Sequence, residues 1–219
     1  MALEREREQV ARASRRLADA GLVLGTAGNV SARRDDRVAI TPTGASLATL
    51  EPAQVSVVEL DGGELVDGEL EPTSELELHL GVYRRYEAGA VVHTHAPWAT
   101  ALSCTLDELP CVHYQMLLLG GPVRVAPYRT FGTPELAEAV LDALDGRSAA
   151  LMANHGALNF AGDLDAAVEA ALLLEWACEV YWRAAQLGEP RVLGEEERRA
   201  VVEAAARRGY GSTRRAGGR

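Results

Sequence analysis

The sequence of 219 residues contains no lysine, because all 22 of its basic residues are arginine. A Schiff-base enzyme, a pyridoxal phosphate enzyme and a P-loop nucleotide-binding protein each need a lysine amine, so the sequence excludes these three classes. Any chemistry that this protein performs on a carbonyl or a phosphate group must therefore proceed without an amine.

Cysteine is scarce, and long hydrophobic runs are missing. The three cysteines form an odd number without C-x-x-C spacing, which favours reduced thiols in a cytoplasmic protein. No apolar run approaches the ~18 residues that a membrane helix needs. The segment MALEREREQV alternates charges and has no hydrophobic signal region, so we expect no secretion.

The composition is that of an acidic globular protein. Against 32 acidic residues, the 22 basic ones leave a net charge of −10, which disfavours nucleic acid and anionic membranes as partners. Hydrophobic residues make up 47% and charged residues 25%. We expect one domain over residues 1–209 and a mobile C-terminal tail over residues 210–219.

Strand and helix patterns alternate along the chain, which indicates an α/β fold. Ser74 and Glu77 have the spacing of a capping box at the start of the second helix. The helix near residues 163–186 is apolar nearly all round, which is typical of a helix buried in the fold or against another subunit. We expect helices near 4–20, 72–86, 134–144, 163–186 and 195–208, and strands within 25–44 and near 55–60, 64–66, 90–95, 123–126 and 149–153.

Three histidines have a spacing that suits a metal. His93 and His95 lie two apart on a predicted strand and therefore share a face, roughly 6–7 Å apart at the backbone. His155 follows another predicted strand and supplies a third nitrogen. Three protein nitrogens leave a coordination position open, as in a catalytic zinc site. The alternative is that the His-x-His pattern arose by chance and that the rings are core side chains.

Glu75 lies at the start of the predicted second helix. One interpretation is structural, since acids are favoured at a helix N-terminus and Ser74 would cap it. The other is functional: hydroxyls and amides at a helix start bind phosphate oxygens, and the carboxylate acts as a general base. His79, four residues later, is expected to support its neighbours rather than bind a metal.

Two glycine-rich turns, Thr26–Asn29 and Thr41–Gly44, are dense in neutral hydrogen-bond donors. They are either ordinary turns or a cradle that holds a phosphate without lysine, aided by the side chains of Asn29 and Thr43. His113 and Tyr114 lie in an apolar stretch, where a buried pair is expected.

These motifs occur together in a recognisable order over residues 17–209. The chain resembles the class II aldolase/adducin family, most closely its L-fuculose-1-phosphate aldolase branch. The family pattern has Ser-Ser-Glu where this chain has Thr73-Ser74-Glu75, and threonine keeps the hydroxyl. The matching segments are Gly25–Ser31, Thr41–Gly44, Pro72–Glu75, His93–His95, His113-Tyr114, Tyr128–Gly132 and Asn154–Gly156.

The resemblance implies a three-layer α-β-α sandwich with a central, mostly antiparallel sheet. It also implies a metal-dependent aldehyde-lyase that cleaves a ketose 1-phosphate, such as L-fuculose 1-phosphate, to dihydroxyacetone phosphate and an aldehyde. A divalent metal then replaces the Schiff base as electron sink for the enediolate. One Zn²⁺ per subunit is expected, with Mn²⁺ or Co²⁺ as alternatives.

The resemblance also assigns roles to residues. Glu75 contacts the metal in the empty site and swings away from it to act as catalytic base. Tyr114 acts across a subunit boundary in a homotetramer whose active sites lie between neighbours. The aldehyde end of the site involves Phe131 and the Tyr210 region. The metal ligands are Glu75, His93, His95 and His155, and the phosphate is held by Gly28, Asn29, Thr43, Gly44, Thr73 and Ser74.

Three other functions are compatible with the same motifs. A sugar-phosphate epimerase of the family uses the same metal, but that branch carries Asp at the position of Glu75. A decarboxylase or dehydratase acting on other phosphorylated compounds is poorly separated by motifs alone. A non-catalytic interaction module resembling the adducin head would lack the metal ligands, which this chain has.

Overall fold

The computed structural model describes residues 2–208. Tyr210 and the tail predicted at residues 210–219 lie outside the described residues. Within the described range, the helices are α1 (Glu4–Asp19), α2 (Leu76–Arg85), α3 (Pro97–Ser103), α4 (Pro134–Ala143), α5 (Leu164–Leu187) and α6 (Glu195–Arg208). The strands are β1 (Asn29–Arg34), β2 (Arg37–Ile40), β3 (Ser56–Glu59), β4 (Leu65–Asp67), β5 (Ala90–Thr94), β6 (Glu108–Leu109), β7 (Val123–Ala126), β8 (Ala149–Met152) and β9 (Gly156–Ala161).

The strands of the described residues form one sheet in the order β4-β3-β2-β1-β5-β9-β8-β7-β6. This sheet is mixed, because β7 and β8 run parallel while the other neighbours pair antiparallel. Interleaved helices and strands confirm the α/β prediction. The order places β5 at the centre, between β1 and β9, so the strand that carries the His-x-His motif is buried along its whole length.

The sheet has a hydrophobic cluster on each face, because successive side chains of a strand point to opposite sides. On β5, Ala90 and Val92 belong to one cluster and Val91 to the other. Helices α1, α3 and α5 contribute to the first cluster, and α2 and α4 pack against each other in the second. Both faces of the central strands are therefore shielded from water.

The start of α2 differs from the prediction. No side-chain cap forms, and the residue at the cap position is Glu75 rather than Ser74. Glu77 pairs with Arg84 instead of reaching back to the helix start, and the Glu75 amide donates to the Thr73 hydroxyl at 3.3 Å. The predicted capping box is therefore wrong, because the helix begins only at Leu76 and Glu77 lies in its first turn with Arg84 as its partner.

Helix α5 buries one face against β5 and β9, and part of its surface remains exposed in the single chain. Trp176 and Trp182 are among its partly exposed residues. Across residues 2–208, no helix is both long enough and apolar enough to cross a membrane. The three cysteines are free, as expected.

Candidate active site

The three predicted histidines meet at one end of the sheet. His93 is in β5, His95 follows that strand directly, and His155 lies in the turn between β8 and β9. Their ring centroids are 4.8–4.9 Å apart, and one nitrogen of each ring lies within 4.8 Å of the other two. The structure therefore brings together three side chains that are separated by up to 62 positions in the sequence.

The backbone fixes this arrangement. The His93 Nδ1 donates to the Ala157 carbonyl at 2.9 Å, which leaves Nε2 directed toward the cluster. A Cβ on Gly156 would lie 2.2 Å from the Thr94 carbonyl oxygen, so only glycine allows β9 to start this close to the end of β5. Asn154 adopts the left-handed conformation, with φ of 56°, that the tight turn before His155 requires.

Glu75 completes the cluster. Its Oε2 lies 3.2 Å from His93 Nε2, and its Oε1 lies 3.4 Å from His155 Nε2. The Asn29 side-chain amide donates to Oε2 at 2.8 Å. Oε1 is buried and makes no hydrogen bond in the described residues. The carboxylate thus has one anchored oxygen and one oxygen left for another group.

The protonation states follow from burial and mutual proximity. Burial raises the pKa of Glu75, but the nearby imidazoles and the hydrogen bonds from His93 and Asn29 lower it by more, so its pKa is below the ordinary value. Burial lowers the pKa of His93, whereas Glu75 raises it more. Burial and the neighbouring His93 lower the pKa of both His95 and His155 to about 4. The carboxylate is therefore ionised and these last two rings are neutral at pH 7.

This donor set fits a divalent cation. Neutral imidazoles have the free lone pair that a metal ligand needs, and His93 is oriented by the carbonyl it contacts, as metal-binding histidines usually are. The unpaired Glu75 Oε1 is an oxygen donor beside the three nitrogens. Three nitrogens with one carboxylate suit zinc-like ions better than magnesium or calcium, which prefer all-oxygen sites.

A cavity of about 320 Å³ opens beside the cluster. All six residues predicted to hold phosphate line it, together with Glu75, His95 and His155. Thr43, Gly44 and Ser74 are exposed within it, whereas Asn29 and Thr73 are buried in its wall. The remaining lining residues are Thr26, Ala27, Pro42, Tyr128, Arg129, Phe131 and Asn154.

Tyr128, Arg129 and Phe131 come from one loop and also line the cavity. The rings of Tyr128 and Phe131 are largely exposed. Phe131 was predicted for the aldehyde end, and it does line the cavity. Arg129 was given no role by the sequence pattern, although an arginine between two aromatic residues in a loop is a recognisable candidate for ligand contact.

Tyr114 lies elsewhere. It begins a 3₁₀ helix, Tyr114–Leu119, and is 40% exposed, so the predicted buried pair with His113 is wrong for the tyrosine. Its ring packs on His113, with centroids 4.5 Å apart, and this pair extends to Trp176 of α5. Tyr114 is not one of the described residues that line the cavity.

A buried line of polar side chains lies behind Glu75, and we call Asn29, Ser31, His79 and Tyr83 the polar row. The Asn29 carbonyl oxygen contacts His79 Nε2, the Ser31 hydroxyl lies 2.7 Å from His79 Nδ1, and the Tyr83 hydroxyl lies 2.7 Å from that of Ser31. His79 supports its neighbours, as expected. The sequence analysis gave no role to Ser31 or Tyr83. Their spacing was informative, because Asn29 and Ser31 share one face of β1, and His79 and Tyr83 share one face of α2.

The sequence matches the family profile described as Class II Aldolase and Adducin N-terminal domain over residues 8–182. It is 39% identical over 200 residues to a 5-deoxy-D-ribulose 1-phosphate aldolase of Bacillus thuringiensis, covering 90% of this chain and 93% of that protein. It is 40% identical over 187 residues to the L-fuculose phosphate aldolase of Escherichia coli K12, covering 84% and 86%. A solved L-fuculose 1-phosphate aldolase superposes with a TM-score of 0.89 at 35% identity, covering 94% of this chain and 98% of the other.

Proposed function

Since the chain belongs to the class II aldolase and adducin family, we propose that it is a metal-dependent aldehyde-lyase acting on a ketose 1-phosphate. The products would be dihydroxyacetone phosphate and an aldehyde. The observation that carries this proposal is the buried Glu75 Oε1, which makes no hydrogen bond among the described residues and lies at the wall of the cavity beside three histidines. A carboxylate oxygen in that position is placed to take a proton from a bound ligand.

Two substrates are supported about equally by the relatives, one a 5-deoxypentulose 1-phosphate and the other L-fuculose 1-phosphate. Both place a phosphorylated three-carbon unit next to the bond that breaks, and both end in a methyl group. The aromatic surfaces of Tyr128 and Phe131 suit such an apolar end. We therefore propose a ketose 1-phosphate with an apolar terminus as the substrate class.

The phosphate is proposed to sit against the two glycine-rich turns and the start of α2. Thr43 and Ser74 offer exposed hydroxyls, and Gly28 and Gly44 allow close approach to the backbone. Asn29 donates one of its two amide N–H groups to Glu75, and the second remains for the ligand. Such a site binds an anion without lysine, in keeping with the composition.

The proton transfers are proposed as follows, in the direction of carbon–carbon bond formation. A zinc-like cation held by His93, His95 and His155 would act as a Lewis acid. Glu75 Oε1 takes a proton from the carbon of dihydroxyacetone phosphate next to the carbonyl, and the resulting enediolate attacks the aldehyde. Tyr114 of a neighbouring subunit donates a proton to the new alkoxide.

The proposal extends to the oligomeric state, the layers of the fold, the identity of the ion and the location of the protein. Tyr114 is exposed and is not part of the cavity lining of its own chain, which favours a role in a neighbour's site within a homotetramer. The two core clusters favour a three-layer α-β-α sandwich for the fold. We also propose zinc as the ion and the cytoplasm as the location.

A substrate panel tests the proposal. Purified protein is incubated with L-fuculose 1-phosphate, 5-deoxyribulose 1-phosphate and a ketose 6-phosphate, and dihydroxyacetone phosphate is measured with and without chelator. We expect release from the 1-phosphates only, with loss of the activity after chelation. Replacement of His93 by alanine should lower both metal content and cleavage, whereas His113→Ala should leave the metal content unchanged. Release of carbon dioxide or an epimer, without dihydroxyacetone phosphate, would favour another family reaction.

A further inference from the structure

The polar row connects a helix to a strand with matching repeats. From the cap of α2 onward, Glu75, His79 and Tyr83 follow one another at intervals of four residues, a rise of about 6 Å in a helix. On β1, Asn29 and Ser31 are two residues apart, about 6.6 Å. Because these distances nearly match, each strand side chain fits between two helix side chains, and the hydrogen bonds alternate from one element to the other.

The direction of every hydrogen bond in the row is fixed from the Glu75 end. The Glu75 carboxylate accepts only, so Asn29 must present its N–H group to Oε2 and its carbonyl oxygen to His79. The carbonyl accepts only, so His79 must carry its proton on Nε2. His79 is fully buried, and burial lowers its pKa to about 3, so the ring is neutral.

The neutral ring then accepts at its other nitrogen. The Ser31 hydroxyl donates to His79 Nδ1, and the Tyr83 hydroxyl donates to Ser31. All members are at least nine-tenths buried, so water does not compete for these contacts. The row therefore has one self-consistent set of donors and acceptors when Asn29 donates to Glu75.

From this geometry, and resting on the proposed function, we propose that the polar row positions the catalytic base. It holds Glu75 Oε2 as the acceptor of Asn29 and leaves Oε1 as the oxygen that takes the substrate proton. His79, Ser31 and Tyr83 are positioning residues, since they act on the substrate only through Asn29 and Glu75. If the Asn29 amide were reversed, its carbonyl oxygen would face the carboxylate and displace it.

The state of the His79 ring tests this directly and needs no activity. In protein with ¹⁵N-labelled histidine, freed of metal by chelation, NMR should show His79 protonated on Nε2 and bare on Nδ1, with the resonances assigned by their loss in His79→Gln. A proton on Nδ1 would overturn the proposal. If no ketose phosphate is cleaved, the proposed function fails, but the tautomer still reports the polarity of the row.

Two substitutions of His79 form a matched kinetic pair. The amide nitrogen of glutamine reaches the Nε2 position and can still donate to Asn29, whereas asparagine reaches only the Nδ1 position. We expect kcat of His79→Gln to stay within about threefold of wild type and kcat of His79→Asn to fall about 10–100-fold, the effect of losing a hydrogen bond that governs a charged group. KM should change less than about twofold in both.

Equal kcat values for the two variants would contradict a role for the Nε2 proton and would reduce the polar row to core structure. Circular dichroism of both variants shows whether each is folded. Should His79→Asn fail to fold, the tautomer measured in the wild-type protein decides the proposal.

Discussion

The two carboxylate oxygens of Glu75 differ in their surroundings. Oε2 accepts from Asn29, while Oε1 makes no hydrogen bond within the described residues and lies 3.4 Å from His155 Nε2. A buried carboxylate that served only to start a helix would be expected to accept hydrogen bonds from the helix amides. The Glu75 carboxylate accepts no such capping hydrogen bond. The geometry of this single residue therefore favours the functional interpretation over the structural one.

Replacement of Glu75 by glutamine separates these interpretations. The change preserves volume but removes the proton acceptor, so we expect kcat to fall about 10²–10⁴-fold while the three histidines retain the metal. Deuterium incorporation into dihydroxyacetone phosphate in D₂O, followed by NMR without aldehyde, measures the proton transfer proposed for Glu75. Glu77→Gln, two residues later on the exposed side of α2, is the matched control and should exchange at the wild-type rate. Wild-type exchange in Glu75→Gln would place the base elsewhere.

The sequence predicted the meeting of the three histidines better than it predicted the side chains that support Glu75. His93 and His95 are linked by the two-residue period of a strand, which is visible in the sequence. The contact between Asn29 and His79 joins residues 50 positions apart, and no local period reports it. Tyr114 shows the opposite error, since an apolar sequence environment suggested burial whereas the side chain is exposed.

Among the elements, the start of β9 controls the relation between the histidines. Gly156 follows His155 and lies against the end of β5, next to His95. Any side chain at this position would push the two strands apart. The distance between His155 and the other two rings is thus set by the backbone of one glycine.

Substitution of Gly156 by alanine should disturb both the fold and the metal site. Forcing a Cβ to within 2.2 Å of the Thr94 carbonyl oxygen requires a backbone shift, so we expect a loss of about 1–3 kcal/mol in the free energy of unfolding and weaker metal binding. Denaturant unfolding and a metal titration measure the two effects. Gly162→Ala, at the other end of β9 where a Cβ would meet nothing within 4 Å, is the control. Wild-type values for both quantities in Gly156→Ala would show that the strands separate without consequence.

Several elements agree with their sequence patterns. Helix α6 (Glu195–Arg208) and strand β7 (Val123–Ala126) have the predicted bounds. Strand β9 and helix α3 were missed. The six residues of β9 carry no alternation, because they are buried on both sides near their start, and Pro97 was interpreted only as the end of a strand although proline also begins helices.

For the molecule as a whole, the hydrophobic core is separate from the cluster of three histidines. The two clusters lie on the faces of the sheet, whereas the histidines lie at the ends of strands already paired by backbone hydrogen bonds. A core in a chain of this length can support the fold without a metal. Metal binding and folding are therefore expected to be separable.

Removal of the metal should abolish cleavage and preserve the fold. After prolonged chelation and buffer exchange, we expect the far-ultraviolet circular dichroism spectrum to stay unchanged and the cleavage rate to fall to the background level. Readdition of about one equivalent of Zn²⁺ per chain should restore the rate, as checked by metal analysis of each sample. Full activity in a preparation without measurable metal would contradict the proposed chemistry.

The matched repeats of α2 and β1 also have a consequence for sequence change by insertion and deletion. One residue added to α2 between Glu75 and Tyr83 would rotate all later side chains by about 100° around the helix, and one added between Asn29 and Ser31 would turn the serine to the opposite face of the sheet. Either change removes several hydrogen bonds at once, although it alters no residue type. These two short segments therefore have a fixed length as well as a fixed composition.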